Sequence, residues 1–133
     1  MTALEQIQQD LAEFTKQYGL KGEILHNDSQ ILCVLRVVPT PNGKFTHPST
    51  NILFQTDRNY PLSAMDMFWT DKDLVLADGS NPTNAEALTD FPDTGKQWRQ
   101  FSYHRPAGQS WDPSRNGIEQ QYLVVLKRWE ADR

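Results

Sequence analysis

Chemistry in this chain can rest on a histidine flanked by serines and on one cysteine, and their surroundings differ. His104 lies in the stretch WRQFSYHRPAGQSWDP, residues 98–113, with Ser102 before it, Ser110 after it and Ser114 just beyond. A histidine beside a serine can take its proton as a general base. The serine can then carry an acyl group as an oxyester, provided oxyanion donors stand nearby. Ser110, immediately before Trp111, is the candidate nucleophile, and His104 is the candidate base or loop organiser. Ser114 suits the start of a helix better. Cys33 lies between Leu32 and Val34 in an apolar run. A thiol there behaves as a small buried hydrophobe and resists forming the thiolate. His26 sits at a strand end and His47 in a proline-flanked loop. No set of three or four ligands converges to hold zinc, so neither metal nor cofactor is expected. A serine hydrolase would need a Gly-x-Ser-x-Gly elbow, which is missing.

The same stretch is rich in groups that suit protein interfaces, namely aromatic rings and arginines. Trp98, Arg99, Phe101, Tyr103, Arg105 and Trp111 are the candidate binding residues. Arg99, Tyr103 and Arg105 are expected outside, with at least two of the rings in the core beneath. Rings and arginines also stack on single-stranded nucleic acid. The net charge of −4 and the lack of repeated basic residues argue against that partner. Residues 57–93 carry eight acids against Arg58 and Lys72, whereas residues 94–116 carry Lys96, Arg99, Arg105 and Arg115 against Asp112. Such a division is either two solvated loops or a dipolar surface that steers a protein partner.

The elements that position these groups follow from periodicity. Leu4, Ile7, Leu11, Phe14 and Tyr18 recur at helical spacing, and Gly19 suits the left-handed C-cap. Residues 22–26 and 30–38 form a hairpin around Asn27-Asp28-Ser29, and the second arm is apolar on both faces, as a covered central strand requires. Residues 51–55 and 65–70 read as a third and a fourth strand, separated by Asn59-Tyr60-Pro61. From 71 to 96 the pattern is lost, with a brief strand at 74–76 as an option. A second helix follows, with Asp112 as its cap, Pro113 at its first position, and Ile118, Tyr122, Val125, Leu126 and Trp129 on one face. The reading is α+β: N-terminal helix, four-stranded antiparallel meander, irregular segment, C-terminal helix.

With 133 residues, 38% of them hydrophobic and 23% charged, the chain fits one domain spanning 1–133. No apolar run reaches the roughly 20 residues needed to cross a bilayer. The first residues read as a polar helix rather than a signal peptide. A lone cysteine fits the reducing cytoplasm.

This order and its motifs resemble the ubiquitin-conjugating enzymes. Tyr60-Pro61 matches the Tyr-Pro that precedes the fourth strand in that family. His104-Arg105-Pro106 stands where the family has His-Pro-Asn, and Trp111-Asp112-Pro113 matches the Trp-x-Pro before the next helix. The blocks NYPLSAMDMFW and WRQFSYH are similar to the bacterial branch called prokaryotic family E, over residues 1–131. The resemblance implies a UBC-like fold with residues 98–113 as its active-site-like segment. Its implied partners are a ubiquitin-like protein, its activating enzyme, or both. Two departures matter: no cysteine lies between His104 and Trp111, and the oxyanion asparagine is absent. The expectation is therefore a binding subunit or an oxyester carrier rather than a thioester enzyme. The alternative is an adaptor domain, for example a defence-associated one, that has kept the fold.

Overall fold

A computed structural model describes residues 1–131. Helix α1, Ala3–Tyr18, starts at Thr2, whose hydroxyl accepts from the Glu5 N–H at 3.1 Å while the Glu5 carboxylate accepts from the Thr2 N–H at 2.9 Å. This reciprocal box satisfies two amide donors that a helix start leaves over. Gly19, at φ 70°, closes the other end. Ile7, Leu11 and Phe14 point inward, as their spacing requires.

Strands β1 (Lys21–His26), β2 (Ile31–Pro39), β3 (Ser49–Thr56) and β4 (Phe68–Asp71) form the expected antiparallel meander. Two further strands correct the expectation of four. β5 (Leu88–Phe91) and β6 (Lys96–Phe101) form a hairpin over a short helical turn, Pro92–Thr94, and the sheet order is β1-β2-β3-β4-β6-β5. Thus the segment 71–96 is not wholly irregular, and residues 98–101 are strand rather than loop. At 74–76 there is no strand, only a bridge between Leu76 and Phe45. The fourth strand is also shorter than expected, because Met67 adopts φ 55° and turns the chain just before Phe68.

Alternation along these strands builds two apolar layers. Ile31, Cys33, Leu35, Ile52, Phe54, Phe68 and Phe101 face α1 and α2 (Gly117–Glu130) in the main core. Leu32, Val34, Leu53, Trp69, Phe91 and Trp98 form a second cluster on the opposite face. Asp93 at the tip of the β5–β6 hairpin accepts from Asn27 Nδ2 at 2.8 Å. Asn27 lies in the β1–β2 turn, so the two ends of the sheet approach each other over that second cluster.

α2 begins later than the sequence suggests. Asn116, not Asp112, is its cap, accepting from the N–H groups of Ile118 at 3.0 Å and Glu119 at 3.1 Å. Asp112 instead closes a turn on itself, accepting from Ser114 N–H at 2.9 Å and Ser114 Oγ at 2.7 Å. Asn116 wins because its amide also donates to the Asp10 carbonyl at 2.8 Å, which ties the start of α2 to α1. No helix among the described residues is long and apolar enough to cross a membrane.

Candidate functional site

The loop from Ser102 to Asn116 joins β6 to α2, and buried polar groups fix both of its ends. Tyr60, 3% exposed, donates its hydroxyl to Asp10 and accepts from the Gly117 N–H at 3.1 Å. Burial and then the bond to Asp10 push its phenol well above the usual range, so it stays a donor. The Tyr60–Pro61 peptide is cis, and the Pro61 carbonyl accepts from Trp111 Nε1 at 2.7 Å. The expected Tyr-Pro turn thus holds both the loop and the helix that follows it.

Arg105 is the loop's internal clamp. Its guanidinium donates to the carbonyls of Gln109 at 3.3 Å and Met65 at 3.2 Å and to Gln121 Oε1, and lies 5.1 Å from the centre of the Trp111 ring. Gln121, 1% exposed, donates onward to the Met67 carbonyl at 2.6 Å. A planar fork suits this multiple contact, which lysine cannot reproduce.

His104 stands on the outer side, 76% exposed, with Nδ1 at 3.0 Å and 3.2 Å from the two oxygens of Asp66. An ionised carboxylate only accepts. Nδ1 therefore carries the hydrogen, and Nε2 is the ring nitrogen left to meet solvent or a partner. Ser110 is also exposed and lines a pocket of about 90 Å³ with Arg105, Gly108, Gln109, Arg115, Gln120 and Leu123. His104 and Ser110 share the loop, and the bond that orients His104 runs to Asp66. Ser102 accepts from Gln100 Nε2 at 3.0 Å, and Ser114 is engaged by Asp112.

The remaining expected binding residues divide. Tyr103 is half-buried, as are Arg105 and Trp111. Trp98 and Phe101 are each 0% exposed and sit on opposite faces of β6. Arg99, expected outside, is 7% exposed. It donates to the Lys72 carbonyl at 3.0 Å and 2.7 Å, the Ala85 carbonyl at 2.7 Å and Asn81 Oδ1 at 2.9 Å. Its charge goes into pinning the 72–87 segment to the sheet. Asp66 was missed as a site residue. Its only signal is its place five residues after Pro61 in NYPLSAMDMFW.

Cys33 is 0% exposed in the main core, and burial pushes its thiol far above the usual range. Among the described residues no group of three histidine, cysteine, aspartate or glutamate side chains is placed to hold a metal ion.

A helix, an antiparallel sheet and a second helix, joined through a loop pinned by a Tyr-Pro turn, define a ubiquitin-conjugating-like α+β protein. The family model described as Prokaryotic E2 family E matches residues 7–131, and the chain belongs to that family. Neither the curated proteins nor the solved structures give a match to it.

Proposed function

We propose that this chain acts in a bacterial ubiquitin-like modification pathway as a non-thioester binding subunit. It would use the 102–116 loop to engage a ubiquitin-like protein, its activating enzyme, or both, in the cytoplasm. The observation that carries this reading is the position of Cys33. The chain's one cysteine is sealed on β2 inside the core, while the loop that would hold a nucleophile offers only hydroxyls. What the loop exposes is recognition chemistry, His104 and Arg115, beside the half-buried Tyr103 and Trp111.

An oxyester carrier is the second reading, favoured by the exposure of Ser110 beside a pocket. Its hydroxyl would attack the tail carbonyl of an activating enzyme's thioester, forming an ester and releasing the enzyme's thiol. A third reading is an adaptor domain that has left the pathway.

Mixing the chain with a ubiquitin-like protein, its activating enzyme and ATP separates these. A complex without a covalent adduct is the expected result. An adduct that alkali removes and that Ser110→Ala abolishes would establish the carrier. No complex with either partner leaves the adaptor.

A further inference from the structure

The acid-rich stretch of residues 57–93 plays no part in the 102–116 loop, and it ends in β5, a free edge of the sheet. Among the described residues the only strand paired with β5 is β6. The Gln100 N–H donates to the Ala87 carbonyl at 2.9 Å, so these two residues are a hydrogen-bonded pair. Along an antiparallel ladder, residues alternate between bonding the partner strand and facing away from it. In the register Leu88–Arg99 and Thr89–Trp98, the main chains of Thr89 and Phe91 therefore bond β6. Those of Leu88 and Asp90 turn outward, each with an N–H and a carbonyl that no strand takes up. Natural edges are commonly blunted by charge or proline. This one instead presents a leucine. Of the four large apolar side chains that the described residues expose, Met1, Val37, Leu62 and Leu88, only Leu88 lies on an edge strand, and it is 47% exposed.

Charge decides what the edge suits. Glu86 and Asp90 stand two residues to either side of Leu88, and both are exposed. Among the described residues no lysine, arginine or histidine lies within ion-pair distance of either. The nearby bases are committed elsewhere. Lys96 pairs with Asp71 at 2.8 Å. Arg99 feels the charge of Glu86 but spends its donors on Lys72, Asn81 and Ala85. The opposite edge of the sheet differs, because on β1 Lys21 and Glu23 carry both signs and Glu23 is paired with Arg36 of the neighbouring strand. Only β5 combines free main-chain groups, an apolar anchor and charge of one sign. We infer that β5 takes an added strand, an extended segment of a protein partner with a basic, an apolar and a second basic residue at alternate positions. Antiparallel addition sets the apolar residue against Leu88 and the bases against Asp90 and Glu86, as cross-strand pairs on one face. Main-chain bonds to Leu88 and Asp90 supply affinity, and the two bases select the partner. This surface is separate from the 102–116 loop and goes beyond the role proposed for it.

The test is an NMR titration of the whole chain with acetyl-Lys-Thr-Val-Thr-Lys-amide. The amide signals of Leu88 and Asp90 are expected to shift, with a Kd on the order of millimolar for so short a strand. Glutamate in place of both lysines of the peptide should weaken binding at least about fivefold, because like charges then face each other. N-methylation of the valine removes an N–H that faces β5 and should also weaken binding at least about fivefold. N-methylation of a threonine, whose N–H faces away, should cost less. In the chain, Glu86→Lys together with Asp90→Lys, both at exposed positions, should reverse the preference between the two peptides. Equal binding of the lysine and glutamate peptides overturns the inference, as does an N-methylvaline peptide that binds like its parent. No shift at β5 with on the order of 10 mM peptide does the same. Shifts at Gly22, Ile24 and His26 would move the pairing to the β1 edge and overturn it. Shifts of Leu88 and Asp90 that depend on the chain's own concentration would give the edge to a second copy, and overturn it too.

Discussion

Tyr60 and Gly117 meet at one hydrogen bond, in which the N–H that opens α2 donates to the phenol oxygen at 3.1 Å. The same hydroxyl donates to Asp10, so one group links the Tyr-Pro turn, α1 and α2. A Cβ on Gly117 would lie 2.5 Å from that oxygen and 2.6 Å from the Trp111 ring. Only glycine lets the three elements close to this distance. Tyr60→Phe should cost about 1–3 kcal/mol, because Asp10 and the Gly117 N–H lose a buried partner together. Gly117→Ala should cost about 1–3 kcal/mol through overpacking. Urea denaturation measures both, and near-wild-type midpoints would mean the junction is not a structural keystone.

Cys33 provides a test of the core. It pairs with Ile24 on β1 and Phe54 on β3, and no part of it reaches solvent. Its thiol should react with a disulfide reagent only as fast as the protein unfolds. Cys33→Ala should fold and keep every partner interaction, while Cys33→Ser should be the less stable of the two by about 1–3 kcal/mol, the cost of an unpaired buried hydroxyl. Rapid labelling of the native thiol would return the cysteine to the list of candidate nucleophiles.

These two sites show what a sequence can and cannot disclose. Cys33 between Leu32 and Val34 announces its burial, since an arm apolar on both faces belongs in mid-sheet. Helix α1 is equally plain from Ile7, Leu11 and Phe14. The β5–β6 hairpin is hidden because Arg99 occupies an inward position on β6, where alternation calls for an apolar group. Its guanidinium donates to the carbonyls of Lys72 and Ala85, partners remote along the chain, with Asp73 and Glu86 near enough to favour its charge. Arg128 is a second buried arginine: 2% exposed, it donates to the Thr83 carbonyl at 2.9 Å. Hydrophobic periodicity carries no trace of either, so the strands at the far side of the sheet read as loop. The site was legible in part for the same reason. His104 and Ser110 stand out by type, whereas Asp66 becomes the neighbour of His104 only through the packing of β4 beside β6.

Asp71 predicts a pH dependence. Burial pushes its carboxyl up, but bonds from Lys96 Nζ at 2.8 Å and the Asn51 N–H at 3.0 Å outweigh this and hold it below the usual range. A carboxylate depressed in the folded state contributes stability above its unfolded value, about 3.9. That stability is lost as the pH falls through the folded value. Unfolding free energy should therefore decline below about pH 3.9. Asp71→Asn should flatten part of that decline while lowering stability at neutral pH. An unchanged acid limb in the variant would assign the pH dependence to other carboxylates.

The His104–Asp66 pair separates interface from scaffold. With side chains 76% and 54% exposed, the pair contributes little to folding, since exposed ion pairs are worth about 0–1 kcal/mol. His104→Ala and Asp66→Asn should each leave the unfolding free energy within about 0.5 kcal/mol of wild type. Both should weaken binding of the ubiquitin-like partner several-fold. In the double variant the losses should not add, because Asp66 acts through the orientation it gives the ring. Calorimetric titration of the four proteins measures the cycle. Wild-type affinity in all of them would move the docking surface off this loop. Additive losses would mean that Asp66 touches the partner itself, and that His104 is held in place by something other than its carboxylate.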